Sequence, residues 1–161
     1  MTGLRLMIVG GVLMFWVVAG AAMAQMEHRG SMGKEAAAPP NANDNRVALS
    51  LKPAVQESVK LTMREHLEAL QAIVAALARE DYEKAAAVAH EDLGFPKHHQ
   101  AMQREQGATF PPKYQELAMA HHQMAEDLAE TIPSKDMKKI LPRLDRTIKA
   151  CVACHQAYKL W

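Results

Sequence analysis

The chain ends in "KACVACHQAYKLW", Lys149 to Trp161, a stretch that holds both of its cysteines, Cys151 and Cys154, with His155 directly behind them. Residues with helical spacing lead into it: Met137, Leu141, Leu144, Ile148, Cys151, His155 and Tyr158 share one side. On such a helix the thiols stand at i and i+3 and leave the same side about one turn apart. The imidazole, at i+4 from Cys151, points the same way. Ser134 is expected to open this segment, and Pro142 to kink or divide it.

Upstream, the same periodicity recurs. Val59, Met63, Leu67, Leu70, Val74 and Leu77 form a stripe that predicts a first helix over 53–79. Asp81 can cap a shorter second helix that Gly94 stops. Residues 95–110 carry Pro96 and Gly107 and read as an irregular connection with one turn of helix near 100–105. Pro111 and Pro112 suit the first turn of a third helix whose stripe is Tyr114, Leu117, His121, Met124 and Leu128. Three long amphipathic helices and a short one predict an all-α chain folded as an antiparallel four-helix bundle, in which a cofactor site is built from facing helices.

Composition agrees with that class. Hydrophobic residues make up 49% of the 161 and aromatic ones only 5%, so Ala, Leu, Met and Val fill the interior. Residues 1–24 have a basic start (Arg5), an apolar run from Leu6 to Ala19, and Ala22 and Ala24 before Gln25, the pattern of a cleaved signal peptide. The run is short for a membrane span of ~20 residues, so no stable insertion is expected after cleavage. Residues 25–50, rich in Ala, Pro, Asn and Gly, read as a flexible tether to a domain over 51–161. Loss of Arg5 takes the formal charge from +1 to zero, which gives no footprint for nucleic acid. The expected location is the periplasm.

C-x-x-C-H is the pattern of a c-type haem attachment site: two thiols can bond the vinyl groups of one porphyrin while the histidine binds its iron. Three readings compete. A thioredoxin-like pair sits at a helix N-terminus, where the thiol pKa falls, whereas this one lies near a C-terminus. A zinc site needs four ligands, and there is no second cysteine pair. A disulfide across one helical turn closes a small loop and gains little. One covalent haem c on the last helix is the expectation, with Cys151 and Cys154 as attachment residues and His155 on the iron.

A secreted all-α chain with a single C-x-x-C-H near its end, followed by "QAYKL", resembles the class II cytochromes c, cytochrome c-prime and its six-coordinate, methionine-ligated relatives. The likeness covers about residues 53–161. It implies His155 as proximal ligand and leaves the distal face to the first helix, where the turn "KLTMREHLEAL" offers Met63, with His66 as the rival. The implied function is a periplasmic monohaem carrier of single electrons between redox partner proteins. No substrate-turnover machinery is visible. The alternative is a protein that binds nitric oxide or carbon monoxide at an open distal face, and a third reading is a haem-free metal-binding module. Family bundles often dimerise, and the pattern here leaves the oligomeric state open.

Other residues carry weaker signals. Leu67, Leu70, Leu117, Met124 and Ile148 are expected to bury the ring, and Tyr158 to pack near it. Arg64 could pair with a propionate but reads more simply as an exposed arginine. The pairs His98–His99 and His121–His122 invite a metal reading, yet neighbours on a helix diverge by about a quarter turn. His121 falls on the inner stripe as a core or haem-edge residue, and His28 lies in the tether.

Overall fold

The structure is a computed structural model that describes residues 44–161. The expected signal peptide and most of the expected tether, with His28, lie outside the described residues. The elements in order are β1 (Val47–Ala48), α1 (Pro53–Leu77), α2 (Tyr82–Val88), a π turn (Ala89–Leu93), α3 (Phe95–Arg104), α4 (Pro112–Thr131), a 3-10 turn (Ile132–Ser134), α5 (Met137–Ala157) and β2 (Tyr158–Lys159). The described residues are thus predominantly helical, as an all-α chain requires.

Local chemistry sets the boundaries. Pro53 and Pro112 stand in the first turns of α1 and α4, where a missing N–H costs nothing. Asp81 accepts the Lys84 N–H at 3.1 Å and caps α2, and Asp136 accepts the Lys138 N–H at 3.0 Å and caps α5. The segment expected to be irregular from Phe95 is instead the ten-residue α3. Pro96 sits in its first turn, where it is tolerated, and Glu126 of α4 accepts the Phe95 N–H at 2.8 Å through Oε1. The other carboxylate oxygen meets His90 Nδ1 at 2.7 Å. Gly94 lies between them, and a Cβ there would strike the Glu126 carboxylate and the His90 carbonyl. Pro142 does not divide the last helix: α5 runs unbroken through it. The proline forfeits one backbone bond on an exposed face, while Ile140 and Leu144 anchor the same stretch in the core.

The hydrophobic core joins Ala69, Ile73, Ala76 and Leu77 of α1 to Ala125, Leu128 and Ala129 of α4 and Ile140 and Leu144 of α5, closed by Ala85, Ala89, Leu93 and Ile132. It therefore occupies the C-terminal halves of α1 and α4 and the N-terminal half of α5. The middle of α1, the N-terminal half of α4 and the C-terminal half of α5 line the site.

Two stripes are rotated from the sequence expectation by about one residue. On α1 the buried set is Val59, Thr62, His66, Ala69, Ile73, Ala76 and Leu77, so the expected Val59 and Leu77 are inside while Val74 is exposed. On α5 Ile140 and Thr147 are inside, and Leu141 and Ile148 are outside. Counting apolar residues missed this because hydroxyls go in when they find carbonyls. Thr62 Oγ1 donates to Ser58 O at 3.2 Å, and Thr147 Oγ1 lies 3.1 Å from both Arg143 O and Met124 O, joining α5 to α4.

Residues 47–49, expected to belong to the tether, are tied to the chain's end. Val47 and Ala48 pair in parallel with Tyr158 and Lys159, and Leu49 N–H donates to Lys159 O at 2.8 Å. Leu49, 4% exposed, supplies the apolar anchor that composition alone hid. Lys159 reaches Asp44 at 3.4 Å.

Candidate functional site

A cavity of about 620 Å³ opens beside the core among α1, α3, α4 and α5, a size that suits a cofactor. Its walls include Cys151, Cys154 and His155 of α5 and Met63, His66, Leu67 and Leu70 of α1. All five residues singled out as attachment or iron ligands in the sequence thus line one space. α3 contributes His98 and Met102, and α4 contributes Tyr114, Leu117, His121 and His122.

The residues expected to attach a haem sit on the last turns of α5. Cys151 and Cys154 are both free thiols, half buried, and burial pushes each pKa up. That is opposite to the shift an oxidoreductase dithiol needs. Cys151 Sγ lies 3.4 Å from the Thr147 carbonyl, to which its S–H donates, and 3.6 Å from His121 Nδ1. His155 is exposed at the surface of α5 while contributing to the cavity wall.

Across these helices the site is dominated by neutral imidazoles. His66 is 7% exposed and burial lowers its pKa to about 3, with His121 and His122 adding to the effect. Burial takes His121 to about 4, and lowers His122 and His98 as well. The rings form a chain: His66 to His121 is 5.1 Å between centroids, His121 to His122 5.0 Å, and His122 to His98 4.8 Å. His122 Nδ1 donates to the Leu93 carbonyl of the π turn at 2.7 Å, which fixes its tautomer. Nε2 of His66 and Nε2 of His121 are buried with no partner among the described residues.

His121 is buried, as its reading as a core residue expected, and lies beside Cys151. His122 is the residue that sequence reasoning missed. A helix that packs on one neighbour buries one of two adjacent side chains, but α4 packs on α5 and on the π turn as well. His121 faces the first and His122 the second. Glu105, at the end of α3, was also not foreseen: it lines the cavity, and burial raises its pKa to about 7.

Two expectations need correction. Of the residues expected to bury a ring, Leu67, Leu70 and Leu117 line the cavity, while Met124 and Ile148 do not; Ile148 is 40% exposed. Leu67 is itself 68% exposed, because it stands on the outer flank of α1. Arg64, in contrast, is the exposed arginine that its simpler reading expected and is not part of the wall. Tyr158 pairs with Val47 and meets Tyr114 edge-on at 5.5 Å instead of lining the cavity.

Among the described residues no three His, Cys, Asp or Glu side chains are placed to hold a metal ion by themselves. A porphyrin supplies four of its iron's ligands and so asks the protein for only one or two more. Two thiols, a histidine on the next residue, and an unpartnered imidazole and a thioether on another helix are a donor set that fits that group. No helix of the described residues is long and apolar enough to cross a membrane. Compared with protein-family models, with curated proteins and with solved structures, the chain finds no match.

Proposed function

We propose that the chain is a periplasmic c-type cytochrome of class II architecture, an antiparallel four-helix bundle that carries single electrons between redox partner proteins. Cys151 and Cys154 hold the haem through thioether bonds, and His155 binds the iron. One observation carries the reading: the C-x-x-C-H donors and the distal candidates Met63 and His66, which lie far apart in sequence, wall a single cavity of about 620 Å³. The group would supply the one-electron chemistry. The chain's own residues would attach it, bury it and set its potential through axial ligation and surrounding polarity.

The gas-binding alternative requires a distal face without a protein ligand. Met63 and His66 both stand at the cavity, which favours a closed iron and hence electron transfer. Expression of the full chain with haem-maturation machinery tests the proposal. The expected product is a coloured protein whose haem survives denaturation and acid extraction, and is lost from that fraction when both cysteines are replaced by alanine. A colourless protein, or haem that extracts freely from the intact sequence, would refute it.

A further inference from the structure

We infer that the sixth position on the iron is taken by the imidazole of His66 and not by the thioether of Met63, an inference that rests on the haem reading above. The rotated phase of α1 is the first ground. Thr62, His66 and Ala69 form the buried line, whereas Met63 lies a quarter turn round and is only half buried. The second ground is an asymmetry of cost. A thioether is a weak acceptor and loses little if left unligated. A buried imidazole with an unpartnered ring nitrogen carries a desolvation penalty that a hydrogen-bond partner, a water or a metal removes. Among the described residues His66 and His121 both have such a nitrogen and line the cavity, but only His66 stands on the first helix beside Met63.

The neighbouring imidazoles support this assignment. His121 places Nδ1 3.6 Å from Cys151 Sγ, the sulfur that would anchor the ring's periphery, and so stands at the edge of the group. His122 is held by the Leu93 carbonyl and packs edge-on to His66 at 5.7 Å between centroids, which restricts the ring's orientation. Two histidines on one iron give a low-spin centre with a lower potential than a histidine–methionine pair, because methionine ligation is what raises it.

The test uses the full chain matured with haem, as wild type, H66A, H66M and M63A. Intact mass is read first, so that loss of covalent haem, which would overturn the haem reading and the ligand with it, is separated from a change of ligand. Near-infrared absorption and electron paramagnetic resonance then report the axial pair. The wild type is expected to be low-spin without a methionine-to-iron charge-transfer band, and M63A to keep the same low-spin axial pair. H66A should turn high-spin and bind carbon monoxide. H66M, which keeps bulk at the position, should return to low-spin with the methionine band and a raised potential. A methionine band in the wild type that vanishes in M63A would overturn the assignment. So would a high-spin wild type, or a low-spin spectrum that survives H66A.

Discussion

Replacing Gly94 by alanine should destabilise the domain through one contact. Gly94 has φ −77° and ψ −160°, an extended backbone that alanine adopts freely, so no conformational cost is expected. The cost is steric: the new methyl would strike the Glu126 carboxylate and the carbonyl of His90. Glu126 cannot yield cheaply, since its two oxygens serve Phe95 N–H at 2.8 Å and His90 Nδ1 at 2.7 Å. Overpacking of this kind costs about 1–3 kcal/mol. At roughly 4 °C per kcal/mol for a chain of this size, the melting midpoint should fall by ~4–12 °C. Far-UV circular dichroism with heat and urea measures both quantities. The same substitution in an E126A background should cost less, because the carboxylate is gone and only the backbone contact remains. A G94A protein within ~0.5 kcal/mol of wild type, or an undiminished penalty in the E126A background, would refute the reasoning.

Further outcomes can be measured on the same protein. The Glu126 carboxylate, by hydrogen bonding, raises the His90 pKa above its ordinary 6.5. Stability from the charged pair is therefore full below pH 6.5 and lost as pH rises through the folded value, so urea midpoints of wild type and E126Q should converge on the alkaline side; equal separation at pH 5 and pH 9 would contradict this. Thr147→Val keeps the shape of a fully buried residue and removes its hydroxyl bond to Met124 O, which should cost about 0.5–1.5 kcal/mol in urea unfolding; no loss would mean that the α4–α5 link adds nothing. Removing residues 1–46 leaves Leu49 in place but takes away Asp44, Arg46 and their link to Lys159. Arg46 is exposed and Asp44 and Lys159 are partly buried at the surface, and a loss of at most ~1 kcal/mol is expected by chemical denaturation.

How much of this was legible in the sequence depended on the kind of signal. The helix starts were readable because Pro53, Asp81 and Pro112 act locally, through a fixed φ or a side chain that reaches its own first turn. The C-x-x-C-H motif was readable for the same reason, since its geometry needs one helix only. α3 was hidden because what completes its first turn is Glu126, distant in sequence. The phase of α1 was misread because Thr62 and His66 count as polar, although one finds a carbonyl within its own helix and the other enters a cavity. His122 was set aside by the quarter-turn argument, which holds for a helix with a single packed face and fails for α4. The attachment of residues 47–49 to 158–159 joins the two ends of the domain, and no local pattern announces such a pairing.

The most direct test of the central claim is the intact mass and reduced absorption spectrum of the full chain, exported from cells that carry haem-maturation machinery. The account predicts a mass increased by one haem and an alkaline pyridine spectrum of a porphyrin with both vinyl groups saturated. Both features should be absent from a variant in which Cys151 and Cys154 are alanine. An unmodified mass for the exported wild-type chain would contradict it.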